Sequence, residues 1–299
     1  MLIVLKNADF SGNNVGHVEV PIEVSSETAN ILNLYGISEL DVDYMKKARA
    51  LQIFRSDFSK LGILNKVKGL FVPVLAKNTD TAYLNLASET FDIATIKEQT
   101  DELELTSMGI KSIGTTKPLN LNGVFDSLYT DDFHFLQVCG ETEPVGLMHS
   151  LNANKPNGYT NISFVRIDVN GEIVFSPSYA NFRIGQNTAN WVKTTTTTFH
   201  KMPVRRLIGL SITPESDCFT CFNPERTNSI AGSNKDMTNY TEWKSRQLLS
   251  SNINLKGYNN SGLVVSVPFL SIGSSLTDEE IIEYDRIVIK MLNTLRTFE

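Results

Sequence analysis

The stretch SIGSSLTDEEIIEYDRIVIKMLNTL, from Ser271 to Leu295, changes period partway along. It begins like a strand and continues as a helix. Thr277 and Glu280 have capping-box spacing: the hydroxyl can accept from the N3 amide while the carboxylate reaches back to the Thr277 amide. Leu276 and Ile281 occupy the hydrophobic-staple positions on either side. Asp278, Glu279 and Glu280 suit the positive end of a helix dipole. Caps of this kind contribute about 1 kcal/mol each. Ile281, Tyr284, Val288, Leu292 and Leu295 then form one apolar stripe. Such a helix is made to lie on a surface, either a sheet formed upstream or earlier helices.

Upstream, the residues between Ala82 and Leu270 read as strands. AYLNLAS, GIKSIG, FHFLQVCGE, GLMHSL and TNISFVRIDV alternate or carry β-branched and aromatic residues. FVRIDVNGEIVFSP is the clearest hairpin, because Asn170 and Gly171 suit a two-residue type I′ turn. NFRIG, RRLIGLSIT, CFTCF, QLLSSNINLK and GLVVSVPFLSIG continue the pattern. The run Thr194 to Thr198 reads as a strand whose two faces both tolerate hydroxyls. Roughly a dozen closely spaced short strands indicate a sandwich or jelly roll. No fixed-length repeat suggests a propeller or solenoid.

Helices precede these strands. Residues 41–71 carry Tyr44, Ala48, Leu51, Phe58 and Leu61 at three- and four-residue steps, with Phe54 beside the stripe. Asp41 is expected to cap the start and Gly62 to stop it. LNKVKGLF reads as a second short helix with Leu64, Val67 and Phe71 on one side, ended by Pro73. Earlier still, SETANILNLYG suits a short helix. Residues 1–24, with LIVL and the alternating HVEVPIEV, look like an arm able to add a strand to a partner.

Composition bounds the function. The 299 residues are 41% hydrophobic and 20% charged, which is ordinary for a globular chain. Net charge is −6, the pI is about 5.4, and no long basic cluster occurs, so neither nucleic acid nor an anionic membrane is an expected partner. No apolar run approaches the length of a membrane span. No secretory leader is recognised, so the sequons at Asn161, Asn239 and Asn259 read as chance. Cys218 and Cys221 have the spacing of half a zinc site, but no second pair follows, and His17, His134, His149 and His200 are scattered. Two strand residues beside a turn is the simpler reading.

FLSIGSSLTDEEIIEYDRIVIKMLNTL resembles the closing segment of concanavalin A-like lectin/glucanase (laminin-G-like) jelly-roll domains of bacteriophage structural proteins. Ile272 and Gly273, Leu276, Thr277 and Asp278, Tyr284 and Leu295 carry the likeness. The segment from Ala50 to Ser88 is similar to that family's entry. There Gly62, Ile63 and Leu64, Lys66, Val67 and Lys68, Phe71, Pro73, and Ala82 to Leu86 fit the pattern. The likeness spans about residues 41–298 and is loose in the middle. After Pro73 the chain has Val-Leu-Ala-Lys-Asn where such sequences tend to carry glycines.

The expected fold is therefore mainly β: an antiparallel jelly-roll β-sandwich, concanavalin A-like, with helices before the first sheet strand and at the C-terminus. Residues 1–40 would be an arm and short helix, and residues 41–299 the sandwich with its entry and terminal helices.

Chemistry is sparse. Glu141 and Glu143 approximate the paired carboxylates of a glycosidase, but sit beside Pro144 in an expected turn. Glu102 and Glu104 fall in a charged, solvent-facing segment. Asp131 and Asp132 could hold calcium, though such a pair is commoner as a loop turn. No nucleophile elbow, phosphate loop, dinucleotide fingerprint or zinc-protease motif occurs. A sugar-stacking aromatic would best be Trp191, in QNTANWVK, with Tyr159 and Trp243 behind it; a core-edge tryptophan is the blander alternative.

The reading is a non-enzymatic virion structural protein: capsid decoration, head fibre or tail component. It needs no metal or cofactor, is made in the host cytoplasm and resides in the virion. Its expected partners are other virion proteins and further copies of itself, a trimer first. The alternative is a carbohydrate-binding adhesion or receptor-binding module meeting a cell-surface glycan, and the third a glycan hydrolase.

Overall fold

The structure, a computed structural model, describes residues 23–88, 103–112 and 266–296 and, between them, residue 128, residues 132–138 and a set of strands. Three helices are present: α1 (Ser26–Leu34), α2 (Tyr44–Leu61) and α3 (Asp278–Arg296). Ser25 caps α1 by accepting from the Thr28 amide. In α2 the expected stripe is buried at Tyr44, Ala48, Leu51, Phe54 and Phe58. Gly62 ends this helix in the left-handed region, φ 75°, as its position implied. Asp41 is not the cap. That place belongs to Asp43, whose side chain makes no capping bond.

The central sheet has six antiparallel strands in the order β1 (Val67–Phe71), β16 (Phe269–Gly273), β5 (Phe133–Val138), β12 (Leu207–Ile212), β13 (Phe219–Phe222) and β14 (Ile230–Ala231). Residues paired across strands share a face. Val138 pairs with Phe269, Leu136 with Ser271 and His134 with Gly273, so all six lie on one side. Phe269 on that side meets Phe54 of α2 edge-on at 5.9 Å and Tyr284 of α3 at 5.7 Å. Phe58 packs on both Phe54 and Tyr284, at 5.4 and 5.0 Å. The two long helices thus lie against each other and, together, on this face. The opposite face carries Phe71, Phe133, Phe135, Leu270 and Ile272, all buried, and Phe71 meets the Tyr83 ring at 6.1 Å.

Strand β1 takes an end position in the sheet, with Asn85 bonded to its outer side. The Asn85 carboxamide accepts from the Leu70 amide at 2.9 Å and the Ala87 amide at 3.0 Å, and donates to the Lys68 carbonyl at 3.0 Å. One buried side chain thereby replaces part of a missing strand.

Smaller sheets complete the described strands: one has the order β10 (Arg183–Gly185), β7 (Gly158–Ile162), β6 (Ser150–Lys155), β15 (Asn252–Asn254) and β4 (Leu119–Asn120), and β11 (His200–Lys201) edges a three-stranded one. One hairpin pairs β2 (Leu103–Thr106) with β3 (Gly109–Ser112). Another pairs β8 (Arg166–Val169) with β9 (Glu172–Phe175), and Val169 stands opposite Glu172 across the two-residue connection that Asn170 and Gly171 implied.

The jelly-roll sandwich expected from the sequence is corrected. Where side chains are described, 45% of residues are helical, short 3₁₀ turns included, and 24% extended, so helix is no trimming on a β fold. The observed layer is helices on an antiparallel sheet, an α+β arrangement. Counting strand-like segments gave no information on layering. Phe54, Phe58 and Tyr284 supply the aromatic half of a shared core that the sandwich reading assigned to facing sheets.

Two local readings change with it. LNKVKGLF is a turn over Leu64–Lys66 followed by strand β1, not a helix. Its burial on both faces leaves no alternation to read, and Gly69 disfavours helix by about 1 kcal/mol. AYLNLAS is mostly turn, contributing a bridge from Asn85 to Phe71. Residues 1–22 of the N-terminal arm and the run Thr194 to Thr198 lie outside the described residues, while Val24 packs against the core.

Candidate functional site

The sheet-to-helix junction concentrates buried polar groups. His134, Ser211, Ser271 and Asp285 are each at most 2% exposed. Three consecutive residues between β16 and α3 are pinned in turn. The Ser274 carbonyl lies 2.6 Å from His134 Nδ1, the Ser275 amide donates to Asp132 at 2.8 Å, and Leu276 exchanges two 2.8 Å bonds with the Ser211 hydroxyl. Beyond them the capping box closes: the Thr277 amide donates to Glu280 at 2.8 Å and the Glu280 amide to the Thr277 hydroxyl at 3.3 Å. Within α3, Asp285 accepts from the Leu207 amide at 2.7 Å, tying the helix to β12.

A carbonyl only accepts, so His134 carries its proton on Nδ1. Its Nε2 is then a lone pair, and Ser271 donates to it across 2.9 Å. Burial pushes the imidazole pKa down to about 4, against a smaller upward pull from the Ser274 carbonyl. The ring is neutral near pH 7. The Tyr284 hydroxyl lies beside Ser271 without full hydrogen-bond geometry, and desolvation raises its pKa well above the ordinary value. Gly273 stands directly opposite His134. A Cβ there would come within 2.0 Å of the Lys66 carbonyl and 2.7 Å of His134 Cε1. The glycine leaves the room that the imidazole fills.

A serine donating to a neutral histidine is the start of a nucleophilic site. Here Ser271 and His134 are both 0% exposed, and the far ring nitrogen meets a backbone carbonyl in place of an orienting carboxylate. Neither side chain is open to solvent. Its chemistry is structural: it holds the entry to α3.

The outer surface differs at the loop before α2. Leu40 is 96% exposed, Val42 105% and Met45 55%. The loop is braced beneath them. The Asp41 carboxylate accepts from the Ser38 amide at 2.7 Å, the Ser38 hydroxyl at 3.0 Å and Lys77 at 2.6 Å. Lys77, then Ser38, hold the Asp41 carboxyl down at about 2. Beside the loop opens a groove of about 150 Å³, lined by Val74, Ala76 and Leu295 together with Asp43, Lys46, Lys47, Thr106 and Ser107.

Of the residues singled out in the sequence, Trp191, Trp243, Glu141, Glu143, Glu102, Asp131 and Cys218 lie outside the described residues. Tyr159 falls in β7 (Gly158–Ile162) and Cys221 in β13, opposite Leu210 and Ile230. Asp132 accepts from the Ser275 amide. Glu104 is exposed, as its charged surroundings implied. Among the described residues, no group of three or more His, Cys, Asp or Glu side chains is placed to hold a metal. No described helix is long and apolar enough to cross a membrane. The sequence missed His134, Ser211 and Ser271, because a lone polar residue in a strand does not reveal its partner from another strand. It also missed Leu40 and Val42, whose alternation with acidic neighbours resembles any helix lead-in.

Comparison with protein families, with curated proteins and with solved structures finds no match.

Proposed function

We propose that this chain is a non-enzymatic structural subunit of a bacteriophage virion, assembling with copies of itself and with neighbouring virion proteins. The observation that carries the reading is the braced, outward apolar loop. Two aliphatic side chains stand almost wholly in water on a turn fixed by hydrogen bonds, an arrangement suited to an interface anchor. The end-segment likeness to phage structural proteins points the same way, as does the arm-like pattern of residues 1–24.

Two measurements test the reading. Mass spectrometry of purified virions should find the protein at many copies per particle; its absence from particles would end the virion assignment. Light scattering on the purified full chain should give a mass above one subunit, and deletion of residues 1–24 should reduce that mass or block incorporation. A full chain that stays monomeric at tens of micromolar would remove the self-assembly half.

A further inference from the structure

We infer that the loop Ser38–Asp43 and the adjoining groove are the two halves of one contact between copies of this chain, the loop of one copy seating Leu40 or Val42 in the groove of another. The inference rests on the self-assembly reading above and names its surface.

Size and charge fit. The groove holds about 150 Å³, space for one branched aliphatic side chain, with Val74, Ala76 and Leu295 among otherwise polar lining residues. The chain's own loop does not use it, because Leu40 and Val42 stand 96% and 105% exposed. Both halves lie side by side, since Asp43 ends the loop and also lines the groove. A surface carrying its own complement next to it is self-complementary and suits a closed contact in which each copy gives and receives. Charge sets the register. Asp41 is engaged by Lys77 and Asp43 by Lys47. Glu39 on the loop and Lys46 in the groove wall make no ion pair among the described residues. Docking loop into groove brings the carboxylate of one copy to the ammonium of the other, which steers and orients association.

The pair alone is smaller than a stable interface, which takes roughly 800 Å² per partner. It serves as the anchor of a wider contact.

The test uses the full chain and sedimentation velocity across a concentration series. Leu40→Asp with Val42→Asp should weaken self-association at least about thirtyfold, as loss of a central apolar anchor does. Both side chains are solvated in the single copy, so at dilutions where neither protein associates the melting temperature of the variant should match the parent. Glu39→Lys and Lys46→Glu should each weaken association, and an equimolar mixture should restore it, because every loop–groove pair in the mixed assembly then joins opposite charges. A parent that associates while the apolar variant keeps its mass, or charge variants that fail to rescue each other, would overturn this surface and leave self-assembly standing. A monomeric parent would overturn both.

Discussion

Acid should loosen the attachment of the terminal helix, and His134 is the reason. In the unfolded chain its imidazole titrates near the ordinary 6.5; in the core, burial lowers that to about 4. The folded state therefore binds fewer protons between those values. Stability from the neutral ring is fully present above pH 6.5 and is lost as pH falls toward 4. With about 1.36 kcal/mol per pKa unit, the loss from pH 7.5 is about 1 kcal/mol by pH 5.5 and about 2–3 kcal/mol by pH 4.5. The assay is urea unfolding at those three pH values, for the parent and for His134→Asn. Asparagine can keep the donor to the Ser274 carbonyl and does not titrate. Glu280, Lys66 and Asp132, the charged groups acting on the ring, remain in both proteins, so the difference between the two pH profiles isolates the imidazole. The parent should lose about 2–3 kcal/mol more than the variant between pH 7.5 and 4.5. Parallel profiles would refute the argument, since they would mean that the ring takes up its proton without cost and is not sealed.

Other substitutions read separate joints of the same core. Gly273→Ala should destabilise by about 3 kcal/mol or more in urea, because its methyl would collide with the Lys66 carbonyl, a backbone atom unable to yield cheaply. Asn85→Ala should cost about 2–4 kcal/mol, since three hydrogen bonds go and the buried Leu70 amide loses its acceptor. Thr277→Ala should cost about 1 kcal/mol and lower the melting temperature by a few degrees. Lys290→Ala, which breaks an exposed pair to Asp57, should change stability by less than about 1 kcal/mol and serves as the surface control.

What the sequence displayed was whatever depends on near neighbours along the chain. The capping box at Thr277 and Glu280, the staple of Leu276 and Ile281, the stripe of α3, the stop at Gly62 and the two-residue connection after Val169 are set within a few positions. Each is found. The layering was not legible, because the stripe from Ile281 to Leu295 says that a helix is covered without saying by what. The answer is α2 and the β16 side of the sheet together, brought there by residues some 200 positions apart. Phe58 and Tyr284 look the same in sequence whether they dress the outside of a sandwich or fill the middle of a helix-on-sheet core.

The same distance dependence explains why the junction residues stayed hidden while the apolar loop was in plain view yet unread. His134 becomes meaningful only when β5 lies beside β16. Pairing then puts a glycine opposite the ring and a serine at its diagonal, so the imidazole has both room and a donor. Leu40 and Val42 become meaningful by the opposite test: with the core assembled from both ends of the chain, they are still left in water. A sequence pattern marks side chains that want burial. Only the assembled fold shows which of them have not received it, and those are the ones available for a second molecule.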